Sequence, residues 1–354
     1  MQQIVNAYMR GEGGMAADTM EAAVFRGDGR LSIETVPVPR IRRDDDVLLR
    51  VLACGVCGTD LHILSVPPGH PATPGVVLGH EYTGEVVEVG PAVTHLRPGD
   101  RVVVDANLKC GHCLACRCGR AHMCANMTTL GIYLDGGFAP YNVAPAAALH
   151  PIDPSVPPHL AAFAEILSCV VNGARKVRMG PGDTVVILGA GPAGLLFTQM
   201  ARAAGARVVV AEVSPYRQRF ARECGADLVV NPAAEDLVQA VMAVTKGGAD
   251  VVIDAVGSQF AAALPLVRRQ GQVLLFGMDA TAQAPVRQVD ITRNEIEVRG
   301  TYIADGTFPA AIRLIEAGVL PLEKLITHRV SVKELPAALG ALRRREAIKV
   351  IVEP

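Results

Sequence analysis

The stretch from Cys54 to Glu81 concentrates side chains that could carry out chemistry. Its candidate residues are Cys57, Thr59, Asp60, His62, His80 and Glu81. A thiolate, an imidazole and a carboxylate form a ligand set suited to zinc, with one coordination position left for water or substrate. Because Cys and His are also common buried residues, ordinary core packing is the alternative. The stretch therefore indicates a candidate catalytic zinc site. Features elsewhere in the chain are needed to distinguish it from core packing.

A second group of cysteines follows further along the chain. Its candidate ligands are Cys110, Cys113, Cys116 and Cys124. They are separated by two, two and seven residues, and four thiolates at such intervals can surround a tetrahedral zinc ion. Free surface thiols are the alternative, but such a dense group would be open to oxidation. We predict a closed structural zinc site, in which Cys118 could compete with Cys116 although the spacing favours Cys116.

A glycine pattern predicts a dinucleotide site. The segment TVVILGAGPAG places Gly189, Gly191 and Gly194 between a strand-like run and a helix-like run. In that context, Gly189 would make the tight turn, Gly191 would admit a pyrophosphate close to the backbone, and Gly194 would let helix and strand pack. The predicted cofactor-binding residues are Gly189, Gly191, Pro192, Ala193, Gly194, Glu212 and Arg217.

Glu212 bears on the choice of cofactor because it ends the next strand-like run, 21 residues after Gly191. Its carboxylate would accept hydrogen bonds from the adenosine ribose hydroxyls and repel a 2′-phosphate, so we expect NAD to be favoured over NADP. Arg217 lies one turn into the following helix. It could reach the same ribose, or it could be a solvated surface residue.

Length and composition agree with a two-domain α/β protein. The chain has 354 residues, half of them hydrophobic and only 4% aromatic, which favours two domains. Lys and Arg number 34 against 35 Asp and Glu, so nucleic-acid and membrane partners lack electrostatic support. With neither a membrane-spanning apolar run nor a signal pattern in the sequence, we expect a cytoplasmic protein without disulfides.

The hydrophobic pattern divides the chain. Residues 1–18 show no periodicity and predict a flexible extension. Residues 19–165 alternate apolar and polar positions between tight turns, which predicts an antiparallel β catalytic domain with a zinc-binding lobe at 107–127. Residues 166–303 alternate apolar strands with helices and predict a doubly wound parallel sheet that binds NAD. Residues 304–354 are expected to return to the first domain.

Glu165 stands inside an otherwise apolar helical pattern, HLAAFAEILSCVVNGARKV. A carboxylate in such a position is usually a surface residue. Here both flanks are apolar, so the side chain needs a partner, and a metal or a metal-bound water would serve.

In combination, CGVCGTDLH, GHE, CGHCLACRCGRAHMC, AEILSCV and GAGPAG resemble the zinc-containing medium-chain alcohol dehydrogenases. The resemblance extends from about Glu21 to the C-terminus. EILSC is similar to the EPLSC segment of the polyol (sorbitol- and xylitol-type) and threonine dehydrogenase branch, with Ile166 in place of the usual proline. It implies a GroES-like catalytic domain, a Rossmann domain, catalytic and structural Zn2+, and homodimers or homotetramers that pair an edge strand near Val298–Tyr302.

The resemblance also implies roles for the metal-site residues. Cys57 and His80 match ligands of the catalytic zinc, and Glu81 matches a carboxylate that binds the metal in some states. Glu165 occupies the place of a third ligand or of the carboxylate that holds the metal's water. Whether Glu81 or Glu165 contacts zinc directly stays open.

The remaining roles concern proton transfer during hydride exchange between an alcohol or ketone substrate and NAD. Asp60 resembles the partner that orients His80, and Thr59 the hydroxyl that contacts the substrate oxygen. His62 resembles the outer end of a proton relay, although an ordinary exposed histidine is the alternative.

Two departures from the family bear on the substrate. Ile303 stands where sorbitol-type enzymes have an arginine that contacts the polyol, and Ile63 replaces an aromatic residue after the relay histidine. Both make the pocket less polar, which favours a smaller or less hydroxylated secondary alcohol, diol or hydroxy acid derivative over hexitols. The alternatives are a threonine-type dehydrogenase acting on a β-hydroxy amino acid and a non-catalytic NAD-binding protein.

Overall fold

A computed structural model describes residues 18–354 of the protein. The extension predicted at 1–18 therefore lies, apart from Asp18, outside the described residues. Within the described part of the chain, every helix is too short or too polar to cross a membrane.

The first region is built mainly from antiparallel strands. They are β1 (Thr19–Phe25), β2 (Leu31–Pro37), β3 (Asp46–Gly55), β4 (Glu81–Val89), β5 (Arg101–Val104), β6 (Asn107–Leu108), β7 (Thr128–Thr129), β8 (Tyr141–Pro145) and β9 (Leu149–Pro151). The short helices of this region are α1 (Gly58–Ile63) and α2 (Leu114–Arg117), which lie between strands, and α3 (Pro158–Ala161), which follows β9. The central pair is β3 with β4, which are antiparallel and run from Val47 opposite Val89 to Gly55 opposite Glu81.

The second region alternates strands and helices. Its strands are β10 (Thr184–Leu188), β11 (Arg207–Ala211), β12 (Leu228–Val230), β13 (Ala249–Asp254), β14 (Val267–Leu275) and β15 (Glu297–Gly300). Its helices are α4 (Ala164–Ala174), α5 (Pro192–Ala203), α6 (Pro215–Glu223), α7 (Leu237–Val244), α8 (Phe260–Ala263) and α9 (Gln288–Asn294). The strands are all parallel, in the order β12-β11-β10-β13-β14-β15. β10 is buried along its whole length, as expected for a sheet covered on both faces.

The C-terminal segment returns to the antiparallel region. It contains α10 (Phe308–Glu316), β16 (Ile326–Val330), α11 (Leu335–Arg343) and β17 (Lys349–Val352). β17 pairs with β3, which gives a sheet in the order β16-β17-β3-β4-β5-β9 with β8 also on β3. The predicted fold class, a doubly wound parallel sheet with a mainly antiparallel GroES-like domain, is confirmed.

One detail differs from the sequence pattern. The helical spacing after His159 predicts one continuous helix, whereas the structure has α3 and α4. At the junction, the amide of Phe163 donates to the carbonyl of Leu160, an i to i−3 bond that tightens the turn. The tightened turn separates the two helices immediately before Glu165.

Candidate active site and zinc sites

The candidate catalytic ligands meet where two paired strands end. Cys57 follows β3, while His80 immediately precedes β4 and Glu81 begins it. Ligand atoms of all three lie within 4.8 Å of one another. His80 and Glu81 are buried and Cys57 is half-buried. The antiparallel pairing thus forms a group that could hold one metal ion.

Asp60 is placed to orient His80. One oxygen of its carboxylate accepts a hydrogen bond from the amide of Cys57 at 2.9 Å, and the other lies 3.7 Å from His80 Nδ1. Asp60 is almost fully buried, and burial raises the pKa of its carboxyl while the charge of His80 opposes that rise. With Nδ1 facing Asp60, Nε2 is the ring nitrogen left for a metal.

Glu81 forms a fully buried ion pair with Lys349, a contact that the sequence did not predict. Lys349 Nζ contacts Glu81 Oε2 and also donates to the carbonyl of Val56 at 3.1 Å. Both charged side chains are inaccessible to solvent. The other oxygen of Glu81, Oε1, has no hydrogen-bond partner among the described residues. An unpaired buried carboxylate oxygen beside a thiol and an imidazole fits a cation there.

Glu165 lies at the start of α4 and outside the group of Cys57, His80 and Glu81. It is buried, and burial raises the pKa of its carboxyl to about 7, with the charge of His80 opposing the rise. Cys169, one turn later on the same helix, donates to Glu165 Oε1 at 3.6 Å. Glu165 therefore neighbours the group, and its role as a ligand stays a prediction.

The two predicted relay residues lie on α1. Thr59 Oγ1 is 3.6 Å from Cys57 Sγ, which puts the hydroxyl beside the metal group. His62 is exposed, and the backbone of Gly69 packs against its ring: a Cβ at Gly69 would lie 3.1 Å from His62 Nδ1. The amide of Gly69 also donates to the carbonyl of His62 at 2.9 Å.

His62 faces the parallel domain. Asp279, in the loop after β14, has a lowered pKa; hydrogen bonds from Thr281 are the main cause, and the charge of His62 contributes. The position of His62 near this loop is consistent with the outer end of a relay. The same position also suits an exposed histidine in the cleft, so the relay role stays a prediction.

The predicted structural ligands come together in the lobe. Two of the Sγ–Sγ distances, Cys113 to Cys116 and Cys110 to Cys124, are 3.5 Å, and Cys113 to Cys124 is 3.9 Å. Zinc–sulfur bonds of about 2.3 Å in a tetrahedron separate the sulfurs by about 3.8 Å. The spacing of these thiols therefore fits a zinc ion.

The lobe shifts the pKa values of two of these thiols in opposite directions. Backbone hydrogen bonds from His112 and Cys113 lower the pKa of Cys110 to about 6, whereas burial raises the pKa of Cys116 to about 12. Metal binding requires thiolates, so the positions of the four sulfurs rather than these opposed pKa shifts support a metal site. Cys118 is exposed and does not belong to the group of four, whereas Cys116 does.

The glycine loop has the backbone that dinucleotide binding requires. Gly189 has φ of 97°, and a Cβ at Gly194 would lie 2.0 Å from the carbonyl oxygen of Gly189. Gly191 precedes α5, whose first residue is Pro192. Ala193, in the first turn, is partly buried. Any side chain at position 194 would push the helix away from the loop.

Glu212 connects this loop to the predicted ribose site. Its two carboxylate oxygens accept hydrogen bonds from the amides of Ala190 and Ser214, both at 2.8 Å. A carboxylate has further lone pairs, so these bonds hold the side chain while leaving acceptor capacity for hydroxyls. Burial lowers the pKa of Arg217, whose guanidinium lies 3.9 Å from a Cβ built at Gly191. These observations support a position of Arg217 over the glycine loop more than the alternative of a solvated surface residue.

Asp254 is a buried carboxylate that the sequence did not single out. It ends β13 and accepts hydrogen bonds from the amides of Val256, Gly257 and Gln259 at 2.8–2.9 Å. Asp254 and Glu212 thus order two loops at the carboxyl edge of the parallel sheet, where such sheets bind cofactors. In the sequence, the signal that could have identified Asp254 was an acidic residue at the end of an apolar strand-like run.

Two family comparisons match this architecture. Residues 43–154 match the alcohol dehydrogenase GroES-like domain, and residues 192–317 match the zinc-binding dehydrogenases. The fold thus matches that of a class of zinc-binding dehydrogenases.

Known proteins show the same relationship over nearly the whole chain. A sorbitol dehydrogenase from Bacillus subtilis is 32% identical, with 95% of this chain and 97% of that protein covered. An L-threonine 3-dehydrogenase from Pyrococcus horikoshii is 38% identical over 80% of this chain and 84% of that protein. A zinc-binding dehydrogenase from Sinorhizobium meliloti, solved with NADP bound, is 36% identical, with a TM-score of 0.90 and coverage of 95% and 99%.

The chain belongs to the zinc-binding alcohol dehydrogenases with a GroES-like domain. It is an alcohol or polyol dehydrogenase with zinc and a nicotinamide cofactor, as the resemblance implied.

Proposed function

We propose that the protein transfers hydride reversibly between a small secondary alcohol or diol and NAD, with a catalytic zinc held by Cys57, His80 and a glutamate. The observation that carries the proposal is the convergence of three ligand atoms within 4.8 Å at the end of two paired strands. The unpartnered Oε1 of Glu81 supports its inclusion among the ligands. Glu165 is the alternative carboxylate.

When bound, zinc supplies a Lewis acid that polarises the substrate oxygen, and the nicotinamide supplies the hydride acceptor. The residues of the chain do the rest. Asp60 holds His80 by its Nδ1 edge, and Lys349 offsets the negative charge of Glu81 in the buried site. In the proposed relay, Thr59 would accept the hydroxyl proton as it gives up its own, and His62 would deliver a proton to solvent.

The cofactor preference rests on Glu212. A 2′-phosphate beside its buried carboxylate would meet a like charge, which favours NAD. The Sinorhizobium meliloti protein was solved with NADP, so the two cofactors need direct comparison. We expect the ratio of kcat/KM for NAD over NADP to exceed ~10 and to fall in Glu212→Ala; a wild-type preference for NADP would contradict the assignment.

The substrate proposal rests on Ile303, which replaces a polar family residue. Ile63, the other departure, is fully buried in the core of the antiparallel domain and lines no accessible surface, so the expectation that it makes the pocket less polar is not supported. The alternative is a β-hydroxy amino acid, which the similarity to an L-threonine 3-dehydrogenase favours. The two differ in whether an amine beside the carbinol is required. Oxidation of 2,3-butanediol as efficient as that of threonine would exclude the β-hydroxy amino acid alternative.

The assembly and compartment are proposals too. β15 is an edge strand of the parallel sheet, and pairing of two copies there would give a dimer or, with a further interface, a tetramer. Five of the nine cysteines belong to the two candidate metal groups, which supports a reducing, cytoplasmic location. Sedimentation analysis would decide the oligomeric state.

Zinc content together with a substrate screen tests the proposal most directly. We expect two zinc ions per chain and NAD-dependent oxidation of secondary alcohols or diols. Cys57→Ser should reduce the content to one zinc and abolish turnover while the fold survives. One zinc in the wild type would instead support a non-catalytic NAD-binding protein.

A further inference from the structure

Helix α4 carries a polar stripe along an otherwise apolar surface. Glu165, Cys169 and Asn172 follow one another at i, i+4 and i+7, so they lie on one face of the helix. The stripe is about 10 Å long at 1.5 Å per residue. It begins beside the candidate metal group and ends at Asn172.

Asn172 holds the segment that follows the last parallel strand. Its side-chain amide donates to the carbonyl of Tyr302 at 3.1 Å and to the carbonyl of Ile303 at 2.6 Å. Asn172 is only 4% exposed. An amide group has two hydrogens, and both are used here on two successive carbonyls. These bonds fix two consecutive peptide units against α4.

The segment has a backbone that needs such support. Ile303 has φ of 36°, a left-handed conformation in which a β-branched residue is a genuine outlier. The other non-glycine residues with positive φ in residues 18–354 are Asp28, Gln270, Glu295 and Arg345. All of those are unbranched at Cβ. Strained residues persist only where the surroundings hold them, and they cluster at functional sites.

The held segment lies beside the candidate site. Asn172, which bonds both peptide units, lies two turns after Glu165 on the same helix. Cys169 is the middle residue of the stripe and contacts Glu165. Tyr302 is 40% exposed, so part of the held segment is accessible.

We propose that Asn172 is a positioning residue for substrate selectivity: it holds Tyr302 and the strained Ile303 in one arrangement relative to Glu165. The proposal rests on the alcohol dehydrogenase function given above. With this segment held in place and isoleucine at position 303, the site should accept a compact diol better than a hexitol.

Asn172→Ala tests the proposal with 2,3-butanediol and sorbitol as probes. We expect kcat/KM for the diol to fall by about 10-fold, mainly through KM, and the diol-to-sorbitol ratio to fall at least about threefold. Thr307→Val is the matched control, because Thr307 also bonds the segment to α4, through the carbonyl of Ser168 at 2.7 Å. Thr307→Val should lower the melting temperature and leave the ratio of kcat/KM for the diol to that for sorbitol unchanged.

A rescue experiment separates positioning from simple stability. Glycine adopts positive φ without strain, whereas alanine does not. Asn172→Ala/Ile303→Gly should therefore recover more of the kcat/KM for 2,3-butanediol than Asn172→Ala/Ile303→Ala. Equal recovery of kcat/KM for 2,3-butanediol by both double variants would overturn the proposal. An Asn172→Ala variant that loses stability but keeps the diol-to-sorbitol ratio of the wild type would also overturn it.

Hydrogen exchange gives a readout independent of activity. Peptides covering residues 301–305 should exchange faster in Asn172→Ala than in the wild type, and more slowly again in the glycine double variant. If the wild type oxidises neither probe, the proposed substrate class fails, whereas unchanged exchange in Asn172→Ala refutes the positioning role itself.

Discussion

Lys349 carries a charge into a part of the protein that water does not reach, and its partner Glu81 is equally buried. In the zinc-free protein, removing one member leaves the other charge without compensation, which typically costs about 3 to 5 kcal/mol. Lys349→Met should lower the free energy of unfolding by that amount in urea denaturation. The double variant Lys349→Met/Glu81→Gln should recover more than half of the loss.

Lys333 and Glu21 supply the control pair. Their side chains are 68% and 51% exposed and 3.1 Å apart, and exposed pairs contribute below about 1 kcal/mol. Lys333→Met should therefore change stability little. If Lys349→Met lowered the free energy of unfolding as little as Lys333→Met, the buried pair would contribute little to stability.

Gly69 offers a test of the relay residue that leaves His62 itself intact. A methyl group at position 69 would lie 3.1 Å from His62 Nδ1, so the ring must move. Gly69→Ala should reduce kcat by roughly 10-fold, because small displacements of catalytic groups are costly. Gly180→Ala is the control, since its Cβ would meet only Asp183 at 4.0 Å. Equal kcat in both variants would argue for a merely exposed His62.

Sequence alone predicted the types of the site residues better than their partners. Cys57, His80 and Glu81 fall in one short stretch, and the pairing of β3 with β4 brings them together. Lys349 is 268 residues away from Glu81 along the chain. Its position inside the apolar strand KVIV was a visible anomaly, but only the pairing of β17 with β3 shows which charge it meets.

At the scale of elements, the four-cysteine lobe makes a prediction about metal content. Cys116 belongs to the thiol group and the exposed Cys118 does not. Cys116→Ser should therefore lose one zinc per chain and melt at a lower temperature, because zinc binding stabilises a site that exists only in the folded state. Cys118→Ser should keep both zinc ions by elemental analysis. Loss of zinc in Cys118→Ser instead would reverse the assignment.

The elements themselves were predictable to different degrees. Uninterrupted apolar runs identified the parallel strands, and alternation identified β4, because burial on two faces or on one face leaves those patterns. The polar stripe of α4 was only half visible. Glu165 stood out between apolar flanks, whereas Asn172 was missed because its partners are backbone carbonyls, which no sequence pattern marks.

The two domains share apolar packing at the scale of the whole molecule. One core cluster joins Ala53 and Val103 of the antiparallel sheet to Ile187 of the parallel sheet. Close by, the rings of His150 and Phe308 stack with centroids 5.0 Å apart and join β9 to α10. A continuous core favours cooperative unfolding over separate transitions.

Phe197 tests this cooperativity because it is fully buried and belongs to the parallel domain. Phe197→Ala should cost about 3 to 5 kcal/mol. If the shared core couples the domains, hydrogen exchange at increasing urea should show peptides from β4 and β13 losing protection together, both at a lower urea concentration than in the wild type. If the domains unfold separately, β13 alone should shift. If peptides from β4 lost protection at the wild-type urea concentration, the shared apolar packing would not transmit stability between the two sheets.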